Sequence, residues 1–225
     1  MSALTVKGSC FLLDSNRGLV PLPNTTRLLN LPQSATIPNG PDTTVSNIVF
    51  TDDDRKLVVA VKGSRDNPDF IPAFIAIWDI NEDMSLSVGF APIDGGVWIW
   101  SLMQVPGRNA FVGGDGIAGV DIYDLDTPVI QSNPSTRVRQ LRVPGQGGIC
   151  WVTYSKVTKN FYLVDLVHPS IDEIHVDADL NGTVVAVRFN HICTSAINDF
   201  TLQSHPLDRF DGPSDISIAH VNGKE

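Results

Sequence analysis

The sequence predicts an all-β fold, an incomplete β-propeller of four-stranded antiparallel blades with about three full blades and two partial ones. Sustained helical periodicity is nearly absent. The 18 glycines and 15 prolines fall between short β-branched and aromatic runs, which is typical of many short strands. Strand–turn–strand segments recur at Val45–Lys62, Val97–Gly114 and Gly148–Asp165, with a period of about 50 residues that indicates a repeat architecture. Each unit therefore needs a neighbour to cover its apolar faces.

The first repeat unit has the clearest strand pattern. Its predicted strands are Thr44–Thr51, Leu57–Lys62, Phe74–Ile80 and Ser85–Phe90. The acidic stretch Asp52–Lys56 predicts a hairpin turn between the first two strands. The second strand reads LVVAVK, which is apolar enough to be buried on both faces of a sheet.

The second and third units repeat this plan. The strands predicted in the second unit are Val97–Val105, Ala110–Gly114, Gly119–Leu125 and Thr136–Val143. Those predicted in the third are Gly148–Ser155, Asn160–Leu166, Ile171–Val176 and Thr183–Phe189. In all three units an apolar residue and then an aspartate end the third strand, at Asp79, Asp124 and Asp177, which predicts a carboxylate that caps the following turn.

The two ends of the chain predict partial units. Cys10–Asp14 and Thr26–Leu31 read as the last two strands of an earlier blade, and Ser195–Leu202 as the first strand of a later one. Residues 1–202 are therefore assigned to the propeller portion. Gln203–Glu225 is polar and lacks a strand pattern, so an irregular tail is expected there.

The composition of the chain argues against two classes of binding partner, nucleic acids and anionic membranes. The formal net charge is −9, and an acidic surface repels the phosphates of nucleic acids and the headgroups of anionic membranes. No apolar run reaches the roughly 18 residues of a membrane span. No signal peptide is visible near the first residue, although a mature secreted form, or a fragment of one, stays open.

The cysteines and the N-glycosylation triplets allow further expectations. Cys10, Cys150 and Cys193 match no zinc-binding spacing, and Cys150 lies in an apolar run that predicts a buried thiol. The sequence does not exclude one disulfide bond between two of these three cysteines. Asn24 and Asn181 stand in N-glycosylation triplets, which matter only if the chain is secreted.

Ligands of propellers sit on the axial face, at the loops between second and third strands and between blades. In this chain those loops hold Lys62, Arg65 and His168, the candidate catalytic residues. Lys62 and Arg65 would bind an anionic substrate and His168 would transfer a proton. Asp115, Asp165 and Gln146 are the candidate ligand-binding residues. The alternative interpretation is that all six are solvated loop residues.

The remaining motifs predict structure rather than chemistry. Asp52, Asp53 and Asp54 crowd one tight hairpin and would point apart, so we expect a solvated turn and no metal site. The glycine-rich segments Gly113–Gly116 and Gly145–Gly148 precede no helix, which favours close backbone packing over a phosphate site. The sequence indicates no cofactor.

The tryptophans allow two interpretations. Trp98 and Trp100 alternate with apolar residues on one strand and are expected to share a face. That face would pack between blades or, if uncovered, would form a binding patch.

The segments Val45–Gly63 (VSNIVFTDDDRKLVVAVKG), Phe74–Ile80 (FIAIWDI) and Val143–Asp165 (VPGQGGICWVTYSKVTKNFYLVD) resemble the fungal proteins described as carboxymuconate-cyclase-like. The resemblance covers roughly Cys10 to Phe200. It implies the lactonase group of seven-bladed propellers, secretion, and about twice as many blades as this chain provides. It also implies a cyclase reaction, in which a carboxylate attacks an alkene of the same molecule and closes a lactone.

These observations lead to two functional hypotheses. The first is a noncatalytic binding or interaction protein that uses its blade faces and axial loops. The second is an enzyme of the cyclase or lactonase type that acts on a small carboxylated substrate. An enzyme should bring Lys62, Arg65 and His168 together in one pocket. Partners expected under the first hypothesis are a small anion and a second copy of the chain, bound through exposed blade faces.

Overall fold

The centre of the protein consists of three consecutive four-stranded antiparallel sheets, each with its strands in sequence order. This computed structural model describes residues 5–30, 42–64, 71–127, 137–168, 170–189, 200–203 and 215–218. The first sheet contains β5 (Val45–Phe50), β6 (Lys56–Val61), β7 (Phe74–Asp79) and β8 (Ala91–Asp94). The second contains β9 (Ile99–Gln104), β10 (Ala110–Asp115), β11 (Gly119–Asp124) and β12 (Val138–Leu141). The third contains β13 (Ile149–Tyr154), β14 (Phe161–Asp165), β15 (Ser170–Val176) and β16 (Gly182–Phe189). The predicted all-β fold with three full four-stranded units is confirmed.

One strand of the first sheet was predicted in the wrong place. The fourth strand is Ala91–Asp94 rather than Ser85–Phe90, which pairs only through an isolated bridge from Leu86 to Ile80. The backbone N–H of Asp79 donates to the hydroxyl of Ser87 at 3.1 Å, and that hydroxyl donates to a carbonyl two residues later. The Ser87 side chain thus takes the place of the backbone pairing that would extend the sheet here. Val88, the next residue, is 93% exposed.

The N-terminal segment forms two short antiparallel pairs that the sequence did not predict correctly. β2 (Phe11–Asp14) pairs with β3 (Gly18–Pro21), and β1 (Thr5–Gly8) pairs with β4 (Arg27–Asn30). The predicted strands near Cys10–Asp14 and Thr26–Leu31 exist but do not pair with each other. The Asp14 carboxylate accepts the backbone N–H groups of two following residues, so the chain reverses at once and β2 finds a nearer partner.

The C-terminal segment also contains a strand where an irregular tail was expected. β18 (Asp215–Ile218) pairs with β17 (Phe200–Gln203) and lies beside β13 of the third sheet. The unit at the C-terminal end therefore has a second strand, β18, inside the segment for which the sequence predicted an irregular tail. The rest of the proposed tail, and residues 195–199 of the predicted strand, lie outside the described residues, and the boundary at residue 202 stays a prediction.

The sheets pack face to face through three apolar clusters. One cluster joins the first and second sheets around Ile75, Phe111 and Tyr123, and another joins the second and third around Ile122 and Phe161. The third cluster lies on the other face of the first sheet, which turns towards the N-terminal strands. Its members are Leu57, Val59, Val61, Ala76, Trp78 and Leu86. The second sheet is therefore covered on both faces by its neighbours, as a propeller blade is.

The first strand of every sheet carries a β-bulge at the same place. In the first sheet Val45 pairs with Val61 and Asn47 with Ala60, which leaves Ser46 as the extra residue. By the same pairing pattern, Trp100 and Cys150 are the extra residues of the second and third sheets. A bulge turns one side chain out of the ladder and bends the strand. Three equivalent side chains are thus redirected at one end of the three sheets.

The predicted turn-capping aspartates are confirmed in two sheets of three. Asp124 and Asp177 each accept backbone N–H groups from the turn that follows. Asp79 instead forms an ion pair with Lys56 at 2.5 Å. In the acidic hairpin turn, Asp53 accepts the hydroxyl of Thr51 and a backbone N–H, which is a turn-stabilising arrangement.

Cys10 and Cys150 are free thiols, and Cys193 lies outside the described residues. Asn24 is exposed, whereas the Asn181 side chain bonds to Arg139 and Asp177. Within the described part of the chain, no helix combines the length and apolar character that a bilayer crossing requires.

Candidate functional site

The second strands of the last two sheets end in equivalent aspartates, Asp115 and Asp165, and both side chains are completely buried. Each pairs across the ladder with the residue before the bulge, Ile99 or Ile149. Val61 occupies this position in the first sheet. We define the axial face as this end of the three sheets, where β6, β10 and β14 end. The candidate residues that the structure describes, Lys62, Asp115, Gln146, Asp165 and His168, belong to this end.

Asp115 binds two loops together through four backbone N–H groups. Its Oδ2 accepts the N–H groups of Val97 and Trp98 at 2.6 and 2.9 Å, from the segment before β9. Its Oδ1 accepts those of Ile117 and Ala118, both at 2.8 Å, from the turn after β10. This carboxylate therefore fixes the backbone that presents Trp98.

Asp165 repeats the arrangement in the third sheet. It accepts the N–H groups of Gly147 and Gly148 at 2.5 and 2.9 Å, and those of Val167 and His168 at 2.9 Å each. Four charge-assisted hydrogen bonds occupy its two oxygens. The predicted ligand-binding role of Asp115 and Asp165 stays a prediction, and the observed geometry gives both residues a loop-organising role.

A second pair of equivalent acids lies next to the first. Asp121 on β11 and Asp172 on β15 are wholly buried and share one ladder position. Burial, and then the charge of Asp115, raise the pKa of Asp121 well above its ordinary value. Burial raises the pKa of Asp172 to about 6, and the charge of Asp165 adds to the shift. In both pairs the surroundings of the third-strand acid thus favour its protonated form more than water does.

Gln146 connects two loops of the axial face. Its Oε1 accepts the N–H of Val143 at 2.8 Å, and its Nε2 donates to the carbonyl of Ile117 at 3.1 Å. Beside it is an open cleft of about 640 Å³ between residues 116–117 and 142–147. The predicted ligand-binding role of Gln146 stays a prediction, and Arg142 is the charged residue that lines this cleft.

Lys62 is the most unusual candidate because a lysine is rarely buried without a carboxylate. It is 5% exposed, and its ammonium lies 4.1 Å from the centre of the Trp100 ring, in cation–π geometry. Its described hydrogen bond is a long one, 3.4 Å to the hydroxyl of Thr44. Burial lowers the pKa of Lys62 to about 8, and its interactions with Cys150 and Asp42 oppose this shift.

Three half-buried tryptophans continue from Lys62 along the axial face. The Trp98 and Trp100 rings meet edge to face with centroids 4.9 Å apart, and Trp151 follows at 5.7 Å from Trp100. A Cβ on Gly116 would lie 2.7 Å from the Trp98 ring, so only glycine allows the rings to pack there. The shared face predicted for Trp98 and Trp100 is confirmed, and Trp78 packs elsewhere against Phe90.

The floor beneath the tryptophans is closed and unreactive. Ser101 donates to the carbonyl of Cys150 at 2.7 Å, joining the second and third sheets. A Cβ on Gly114 would approach that same carbonyl to 2.5 Å, so this contact requires glycine. Burial, and then the charge of Asp165, raise the pKa of the Cys150 thiol far above its usual range. Cys150 is therefore a protonated packing residue, as predicted.

His168 lies on the axial face, apart from Lys62. Its side chain is exposed, and its Nδ1 is 2.7 Å from the carbonyl oxygen of Gly145. The Nδ1–H donates to this carbonyl, which leaves Nε2 to accept a proton. Among the described residues no hydrogen bond or ring contact joins His168 to Lys62. Arg65 lies outside the described residues, so the expected convergence of the three stays untested.

Comparisons with known proteins bear on the fold. No protein-family model matches the chain, and no curated protein matches its sequence. Among solved structures, a candidate 6-phosphogluconolactonase from Bacteroides uniformis is similar with a TM-score of 0.56 and 16% identity, over 88% of this chain and 55% of that one. The periplasmic gluconolactonase of Pseudomonas aeruginosa is similar with a TM-score of 0.57 and 12% identity, over 89% and 54%.

The chain has a lactonase-like propeller fold. It spans about half the length of both similar structures. At these identities the likeness concerns the fold alone. The earlier resemblance to lactonase-group propellers is thus confirmed at the level of architecture, whereas the narrower family stays a proposal.

Sequence reasoning did not connect Lys62 with the tryptophans. Trp100 reaches Lys62 from the bulge of the neighbouring sheet, and a bulge has no reliable sequence signature in a run such as VWIWSLM. The repeat alignment offered one usable signal. Lys62 directly follows Val61, which stands at the position that aspartate occupies in the other two sheets.

Proposed function

We propose that the axial face binds a small carboxylated ligand without converting it, through the ammonium of Lys62 and the faces of Trp98, Trp100 and Trp151. The contact that carries the proposal is that of Lys62 with Trp100. Aromatic walls with a few placed polar groups are typical of small-molecule sites. A lysine with a lowered pKa beside such walls is a further indication of a functional site.

The nature of the ligand follows from the groups present. A carboxylate would place an anion directly at the Lys62 ammonium, whose described contacts are the Thr44 hydroxyl and the Trp100 ring. The tryptophan faces favour a body with exposed C–H or π surface. Sugar acids and unsaturated dicarboxylates both combine these two properties. Noncatalytic binding is favoured because the described groups next to Lys62 are a hydroxyl, an indole and a protonated thiol.

A second candidate is a lactonase or cyclase of the carboxymuconate-cyclase-like kind, acting on a small carboxylated substrate. The similar structures are described as a gluconolactonase and a candidate phosphogluconolactonase, which favours this class. Under this hypothesis His168 would supply the proton acceptor through Nε2. It requires a substrate long enough to reach from Lys62 to His168.

Replacement of Lys62 by Met is expected to weaken binding of gluconate, 6-phosphogluconate or cis,cis-muconate by about tenfold or more, the effect of losing one hydrogen bond to a charged group. Methionine preserves the apolar stem and removes a buried charge, so the fold should be retained. Titration followed by tryptophan fluorescence measures the affinity. Lys156→Met is the matched control, because Lys156 is exposed in the turn at the opposite end of the third sheet.

The pH dependence provides an independent readout. Because the pKa of Lys62 is about 8, wild-type affinity should fall as the pH rises from 7 to 9, and Lys62→Met should lack this dependence. Equal affinities in both lysine variants would refute the binding proposal. Hydrolysis of δ-gluconolactone above the uncatalysed rate, lost in His168→Ala, would favour the enzyme instead.

Self-association is a separate proposal, supported by exposed leucines on the β2–β3 hairpin. Leu13 and Leu19 lie directly opposite in the pairing register and are 79% and 69% exposed. We expect sedimentation coefficients that rise with protein concentration, and a smaller rise for Leu13→Glu than for Leu28→Glu, the matched change on β4, where the leucine is 52% exposed. A concentration-independent monomer would contradict this proposal.

A further inference from the structure

A second cavity lies away from the axial face, between the N-terminal strands and the outer face of the first sheet. Its volume is about 260 Å³. The third apolar cluster forms its floor through Leu57, Val59 and Trp78. The cavity is therefore bounded by the packing that joins the N-terminal strands to the first sheet.

The walls of this cavity are apolar and remain accessible. Phe11, Ile48 and Phe50 line it and are 50%, 54% and 51% exposed. Side chains of this size are normally covered when they face a groove on a folded protein. The volume is about nine times the ~30 Å³ that one water molecule occupies in the liquid, which suits an aliphatic chain of about ten heavy atoms.

The polar side of the cavity is cationic. Lys7 and Arg27 line it, and no aspartate or glutamate does. Arg27 is half-buried, and it donates to the backbone carbonyls of Leu86, Ser87 and Thr26. The ion pairs found in the described residues involve other side chains, so neither Lys7 nor Arg27 has a carboxylate partner there.

The backbone contacts of Arg27 hold its guanidinium at the cavity without neutralising it. A guanidinium carries five N–H donors in a planar fork, and three backbone carbonyls engage only part of them. The remaining donors and the exposed ammonium of Lys7 suit an oxyanion. An apolar chamber with a cationic rim matches a molecule that has an aliphatic body and one anionic end.

We propose that this cavity binds a medium-chain aliphatic carboxylate, with its chain against Phe11, Phe50 and Trp78 and its carboxylate on Arg27 and Lys7. The site is distinct from the proposed axial site, because neither Lys62 nor Trp98, Trp100 or Trp151 lines it. An aliphatic amine or alcohol of the same length would lack the charge match. A short carboxylate such as acetate would lack the apolar contact.

The test is calorimetric titration of the full chain with decanoate below its micellar concentration. We expect saturable binding near one equivalent, at least tenfold tighter than binding of decanol, and none of acetate. Lys7→Gln and Arg27→Gln together should weaken decanoate binding about tenfold or more and leave decanol unchanged. Lys156→Gln, an exposed lysine far from the cavity, should change neither.

Because Arg27→Gln also removes contacts to the first sheet, a second variant keeps the test decisive. Ile48→Trp places a larger side chain in a half-exposed wall position, and it should abolish decanoate binding while the thermal midpoint stays within a few degrees of wild type. Decanoate should also protect Cys10, which lines the cavity, against alkylation, as located by peptide mass spectrometry.

Three results would overturn the proposal. One is decanol binding as tightly as decanoate, which would show that the cations play no part. Another is unchanged affinity in Ile48→Trp with Cys10 unprotected, which would place the ligand elsewhere. A third is decanoate uptake that occurs only as a dimer dissociates in sedimentation velocity, which would make a second copy the natural occupant.

Discussion

Replacement of Asp115 by Asn should lower the free energy of unfolding by about 3 kcal/mol, the largest effect expected of any single change discussed for this chain. Each of the two carboxylate oxygens of Asp115 accepts two backbone N–H groups, four in all. An amide has only one oxygen, so in either orientation its NH₂ group faces two buried donors. Those donors lose their partner and are also repelled.

Chemical denaturation monitored by circular dichroism measures this change. Asp165→Asn should lose less, because Oδ1 accepts three of its four N–H groups, and an amide oxygen in that place leaves only the Gly147 donor without a partner. Asp179→Asn is the control, because Asp179 is exposed in a turn and should lose well under 1 kcal/mol. A loss for Asp115→Asn as small as that of the control would show that the loops do not depend on the carboxylate.

Replacement of Asp172 by Asn should stabilise the protein at pH 7 and have little effect at pH 4. The pKa of Asp172 is raised by burial to about 6 in the folded state, above the ordinary value of 3.8. A raised pKa means that the stability associated with the protonated acid is complete below about pH 4 and is lost as the pH rises through 6. Asparagine stays neutral throughout, and the expected gain at pH 7 is about 2 kcal/mol.

Unfolding free energies measured at half-unit steps from pH 4 to 7 test this prediction. The difference between variant and wild type should grow with pH, and most of the growth should fall between pH 4 and 6. Asp177→Asn serves as the control of opposite sign. Hydrogen bonds from the Asn181 backbone and side chain lower the pKa of Asp177, so its contribution changes only at more acidic pH. A pH-independent difference for Asp172→Asn would contradict the assignment.

The sheets could be predicted from the sequence because two signals agree along most of the chain. Alternating or continuous apolar runs gave the strands, and turn residues such as Asp124 and Asp177 gave their ends. The prediction failed where a side chain replaced the ladder, as Ser87 does, and where short N-terminal strands chose nearer partners. Those outcomes depend on competition between pairings of similar energy, which a local pattern does not reveal.

The candidate site could be located but not interpreted from the sequence. Residue type and loop position correctly brought Lys62, Asp115, Asp165, Gln146 and His168 to one end of the sheets. They did not reveal how many backbone N–H groups would surround each aspartate. Nor did they reveal that Trp100, redirected by a bulge, would meet Lys62 across two sheets. Both facts depend on how neighbouring sheets pack against each other.

The shared bulge has a consequence for how such a protein could diversify. Trp100 stands outside the pairing of its own strand, so exchanging it leaves that ladder intact, whereas Ser46 joins the first sheet to the second through a hydrogen bond to the carbonyl of Ile99 at 2.8 Å and Cys150 is buried. Descendants could therefore acquire a new chemical surface by altering one letter, at the bulge of the second sheet, while the scaffold that displays it is inherited unchanged.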